Sequence, residues 1–91
     1  MNSQTAILTP AQLIRFADFL DDSVKRLRGK SKHLRDSVTA ARAVWKDAKY
    51  DAFQKELSRS VDEIEKFNNT GMKYAEFLRD KADLANKYAH R

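Results

Sequence analysis

From Leu13 onward, apolar residues return alternately every four and every three positions: Leu13, Ala17, Leu20, Val24, Leu27, Ser31, Leu34, Val38, Ala41 and Trp45. One line of this heptad repeat is leucine four times running, at 13, 20, 27 and 34, and Ser31 is the seam's polar member. The spacing predicts a first helix from Pro10 to about Val44. Its start is marked by Thr9 as N-cap, Pro10 at the first helical position and Gln12 closing a capping box, with Leu8 and Leu13 as the hydrophobic staple. Gly29 falls on the outermost face, where it costs about 1 kcal/mol of helix propensity and disturbs no packing. A break at Gly29 is the alternative.

A second stripe follows: Tyr50, Phe53, Leu57, Ser60, Ile64, Phe67, Gly71, Tyr74, Leu78, Lys81, Ala85 and Tyr88, widened on one side by Val61, Ala75, Ala82 and Ala89. Opposite it the chain is polar, with the acid-first pairs Asp51/Lys55, Asp62/Lys66 and Asp83/Lys87 at i,i+4 spacing. The two stripes are out of phase. Continuing the first past Trp45 reaches Ala48, Ala52 and Lys55, whereas the large apolar residues stand at Tyr50, Phe53 and Leu57. A turn at 45–48 reconciles them, with Trp45, Lys46 and Asp47 at the corner and Asp47 capping the second helix.

The expected fold is therefore all-α: one domain, residues 1–91, forming an antiparallel hairpin of two helices ~50–60 Å long. The second helix should run from about 48 to 89, with a kink at 68–71, where Asn68, Asn69, Thr70 and Gly71 are all poor helix formers. The alternative there is a break, with Thr70 capping a third helix. Leu20, Leu27, Leu34, Phe53, Leu57, Ile64 and Phe67 are expected to hold the hairpin together, with Phe53, Phe67 and Tyr74 as core aromatics.

Composition agrees. Two glycines and one proline in 91 residues leave few turn sites for a sheet protein, and the absence of cysteine excludes disulfides and thiolate-bound metal. Neither a signal peptide nor an apolar run near the ~20 residues of a membrane span is present. The expectation is a chain that is cytoplasmic as synthesised, with no transmembrane segment, and exported, if at all, by a route that reads no signal peptide.

With its "TPAQL" opening, a single tryptophan at a helical corner, an aromatic eight residues later at Phe53 and a length near a hundred residues, the chain resembles the WXG family. These are the small early-secreted-antigen-like substrates of type VII secretion. The resemblance implies a helical hairpin, a helical partner and passage through secretion machinery. Where the family has Trp-x-Gly, this chain has Trp45-Lys46-Asp47. The family's Tyr-x-x-x-Asp/Glu export signal is not matched: Tyr50 is followed four residues on by Gln54 and Tyr74 by Leu78, and Tyr88 has no residue at that spacing.

A two-helix hairpin of this size buries little, and such chains usually add disulfides, metals or oligomerisation. Off the seam, Ile14, Phe16 and Phe19 meet Phe77 and Leu84 at the open end of the hairpin, which predicts a partner interface there. The expected assembly is a four-helix bundle of two hairpins, as a homodimer or with another small helical protein.

Candidate chemistry is sparse. His33 and His90 are far apart, and no metal pattern, phosphate loop or nucleophile motif occurs, so neither an enzyme nor a cofactor is expected. Lys25, Arg26, Arg28, Lys30, Lys32 and Arg35 fall within eleven acid-free residues. They read as a solvated face balanced by Asp18, Asp21 and Asp22, with pairs Asp21/Lys25 and Asp22/Arg26. The alternative is an anion-binding patch, which would make the chain a small basic nucleic-acid-binding or regulatory protein.

Overall fold

The computed structural model describes residues 9–89, which form two helices, α1 (Pro10–Ala41) and α2 (Ala48–Ala89). Thr9 caps α1 as its sequence requires: its Oγ1 accepts from Gln12 N–H at 3.2 Å, and Gln12 Oε1 accepts from Thr9 N–H at 2.8 Å. Leu8, the other half of the predicted staple, lies outside the described residues. The helices fold back on each other over their length. The chain measures 66 × 27 × 14 Å, and the thinnest dimension is little more than one helix diameter. The hairpin is a single layer, so each helix has one helical neighbour and the rest of its surface is open.

α1 ends three residues earlier than its apolar pattern predicts. After Ala41 the chain tightens into i→i−3 bonds, Arg42 N–H to Thr39 O and Ala43 N–H to Ala40 O, both at 3.2 Å. Asp47 then caps α2, its Oδ1 accepting from Tyr50 N–H at 3.0 Å and from the Trp45 indole N–H at 2.9 Å. One carboxylate oxygen therefore fixes both the corner tryptophan and the first turn of the returning helix. Tyr50 completes the corner: it is buried, and its hydroxyl donates to the Val38 carbonyl at 2.7 Å. Trp45 packs edge-on to Tyr50 and roughly parallel to Phe53, and Arg42 lies over the Tyr50 ring while pairing with Asp51.

α2 is continuous. The poor helix formers at 68–71 neither break it nor start a third helix; the Thr70 hydroxyl bonds back to the Lys66 carbonyl at 3.2 Å, a use open to threonine inside a helix. Gly29 likewise leaves α1 unbroken. Gly71 is buried because α1 comes close to it: a Cβ there would stand 3.3 Å from Val24 Cγ2.

The buried seam of α1 follows the predicted line through Leu13, Ala17, Val24 and Val38. That of α2 follows the predicted stripe at Tyr50, Leu57 and Gly71, but its second line runs through Val61, Asn68, Ala75 and Ala82, on the side of the widening residues, in place of Phe53, Phe67 and Tyr74. Phe53, Phe67 and Tyr74, expected in the core, face outward with 43%, 63% and 60% of their surfaces exposed, and Leu34 is also exposed. The reason is steric. Small residues at 71, 75 and 82 let the helices approach closely, and rings on the adjoining line are left outside that contact.

Candidate interaction surface

Packing α2 on its Val61, Asn68, Ala75 and Ala82 side gives the hairpin two unlike flanks. Along one, Asp21 and Arg28 of α1 and Arg42 at its C-cap stand at multiples of seven, and Asp51, Glu65 and Arg79 stand fourteen apart on α2. They join across the seam: Arg42 to Asp51 at 3.1 Å, Arg28 to Glu65 at 2.7 Å, and Arg79 to Asp21 at 2.7 Å, with Asp18 also 2.7 Å from Arg79. Arg28 further donates to Asn69 Oδ1 and toward Met72 Sδ. The hydrogen bond to Glu65 raises the Arg28 pKa above its ordinary value, and Asp18 and Asp21 do the same for Arg79. In return Arg28, helped by Asn68, holds the Glu65 carboxyl below the usual range. This flank is closed by its own charges.

Asn68 links that network to the seam. It is 1% exposed, and its Nδ2 donates to Glu65 Oε1 at 3.3 Å, while Oδ1 has no partner. A buried polar group placed among apolar neighbours penalises sliding of one helix along the other, as polar residues in coiled-coil seams do.

The opposite flank is apolar and open. Between the helices lies a groove of about 360 Å³ lined by Phe16 and Leu20 of α1 and by Phe67, Thr70, Gly71, Tyr74, Phe77 and Leu78 of α2. Phe19 stacks on Phe16 with ring centroids 6.4 Å apart, extending the patch outward. Leu84 continues the line of Phe77 toward the open end and is exposed. Four of the five residues predicted to meet a partner therefore sit on or beside this surface. The fifth, Ile14, shares the line of Asp21 and Arg28 and belongs to the charged flank.

Phe67, Tyr74 and Leu20 were not among those predicted contacts. The stripe on α2 was too wide for one helix contact, and its aromatics repeat seven residues apart on the line next to Gly71; that width was the available signal.

The basic run is partly paired with acids, and Arg28, Lys32 and Arg35 line one shallow surface pocket with Asp62 and Glu65. Arg28 is taken up by Glu65, Arg26 pairs with Asp22 at 2.9 Å and Lys32 with Asp36 at 2.9 Å. Lys32 lowers the Asp36 pKa through that hydrogen bond. Lys25, Lys30 and Arg35 make no ion pair among the described residues, and their spacing of five distributes them around α1. Asp21 is drawn to Arg79 rather than Lys25, and none of the three predicted i,i+4 pairs on α2 forms among the described residues. Asp51 instead joins Arg42, and Lys66 joins Glu63 at 3.4 Å. His33 is exposed, and His90 lies outside the described residues.

No group of three or more histidine or acidic side chains positioned for a metal occurs among the described residues, and no helix is long and apolar enough to cross a membrane. Comparison with known protein families, curated proteins and solved structures gave no match.

Proposed function

We propose that this chain is a non-catalytic interaction protein, a helical hairpin whose apolar flank is closed by a second helical hairpin to give a four-helix bundle. The observation that carries this reading is the open groove between Phe16, Leu20, Phe67, Tyr74 and Phe77 in a single-layer molecule. Aromatic side chains at this density on one face lower their free energy by about 25 cal/mol per Å² when covered. The exposed lines also keep a seven-residue period, which another helix laid lengthwise matches and an irregular surface does not.

The resemblance carried by Thr9–Leu13, Trp45 and Phe53 supports placing the chain with WXG-like secretion substrates or their partners and chaperones. Asp47 takes over the corner position of the family's glycine by capping α2 and holding the indole.

Sedimentation equilibrium at micromolar concentration, alone and with a leucine-heptad helical peptide, tests the interaction reading. Self-association or a 1:1 complex is expected; a monomer indifferent to the peptide overturns it. Export is tested separately, by following a tagged chain into the medium of its own cells with and without the secretion ATPase.

A further inference from the structure

The partner of the apolar flank can be narrowed by charge, given the reading that a helical partner closes it. Lys73 borders the groove beside Thr70, Tyr74 and Phe77. Lys81 interrupts the line of Phe67, Tyr74 and Tyr88, and Lys30 lies two heptads along α1 from Phe16. None of these three lysines makes an ion pair among the described residues. Acids on this side are few: Glu56 and Glu63 are engaged by Arg59 and Lys66, leaving Asp80 and, on the outward side of Lys73, Glu76. The carboxylates of the other flank are committed to Arg28, Arg42 and Arg79.

We propose that the flank receives an amphipathic helix from a different chain, one with apolar residues at heptad spacing and glutamate or aspartate along its edges. A second copy fits poorly. Its corresponding flank carries the same Lys30, Lys73 and Lys81 and few unpaired acids to meet them. Like charges brought together at an interface rim work against association, and opposite charges select the partner. An anionic membrane is the other surface that attracts a lysine-edged apolar face. The concave groove between the helices, however, fits the ridge of side chains on a helix better than a flat bilayer.

The test uses the whole chain and two four-heptad peptides with identical leucine cores, one with Glu at the flanking positions and one with Lys. The Glu peptide should bind at least about tenfold more tightly, with the difference shrinking at about 1 M salt, where the screening length falls to ~3 Å. Lys73→Glu with Lys81→Glu should reverse the preference, while Phe67→Ser with Tyr74→Ser should abolish binding of both. Equal affinities, a preference for the Lys peptide, or a homodimer that blocks the Glu peptide overturns the acidic partner and leaves the interaction surface standing. Binding to phosphatidylglycerol vesicles without binding to the Glu peptide also overturns it. Failure of every helical probe together with a monomeric chain removes the proposed function as well.

Discussion

The hydroxyl of Tyr50 donates to the backbone carbonyl of Val38 at 2.7 Å, joining the first turn of α2 to the last full turn of α1. Arg42 N–H, which would serve that carbonyl in an unbroken helix, is directed to Thr39 O instead. Tyr50→Phe keeps the ring and leaves a buried carbonyl without its donor, at a cost of about 1–3 kcal/mol. For a chain of this size each kcal/mol lowers the melting temperature by about 4–8 °C. A thermal melt followed by circular dichroism checks it, and an unchanged melt would mean the bond contributes nothing.

Asp47 does two jobs with one oxygen, capping α2 and accepting from the indole of Trp45. Asp47→Ala should destabilise the hairpin by about 1–2 kcal/mol. Asp47→Asn keeps an acceptor and should lie close to the parent. Asp47→Gly restores the Trp-x-Gly pattern and should fall between the two, because glycine is a tolerated N-cap but leaves the indole unbonded. Urea denaturation of the three variants ranks them.

The two glycines should respond differently to alanine. Nothing lies within 4 Å of a Cβ at Gly29, so Gly29→Ala gains helix propensity of up to about 1 kcal/mol. At Gly71 the same gain is opposed by Val24 Cγ2 at 3.3 Å, and the net change should be near zero. Gly71→Leu overfills the seam and should cost about 1–3 kcal/mol or more. Denaturation midpoints of the three variants give the comparison.

Glu65 gives the stability a pH dependence of known sign. Its carboxyl is held below the usual range first by the hydrogen bond from Arg28 and then by Asn68. The contribution is complete above the ordinary glutamate range, where folded and unfolded chains both carry the charge. As pH falls the unfolded chain protonates first, and the contribution is gone once pH passes below the folded-state value. Glu65→Gln should therefore be less stable than the parent near neutral pH, with the gap closing as pH falls below the ordinary glutamate range and through the folded-state value. A gap that persists at low pH would mean the loss is one of packing.

Burial separates the two aromatic lines of α2. Phe67→Ser and Tyr74→Ser remove exposed rings and should each change the hairpin's own stability by about 0.5 kcal/mol or less. Leu57→Ala, in the buried seam, should cost about 2–5 kcal/mol. A large loss for Phe67→Ser in the isolated chain would put that ring in the core after all.

What this sequence determined by itself is the set of features made within a few residues of one another. The Thr9 cap, the Asp47 cap beside Trp45 and the two long helices depend on neighbours two to four positions away, and the reversal is marked by the change of phase between their stripes. Those contacts are the same whatever the rest of the chain does. The choice of inward face on α2 was not local. Tyr50, Leu57, Ile64, Gly71 and Leu78 repeat every seven residues, and the line is flanked by Phe53, Phe67 and Tyr74 on one side and by Val61, Asn68, Ala75 and Ala82 on the other, both in heptad register, so periodicity alone could not say which flanking line bordered the contact. Close approach of α1 decided it, by admitting Gly71, Ala75 and Ala82 on one side and excluding the rings on the other. The same approach joined Arg28 to Glu65 across 37 positions and Arg79 to Asp18 across 61. Separations of that order carry no pattern along the chain, and only the packed pair of helices turned one flank into a closed row of ion pairs and left the other as an open apolar groove.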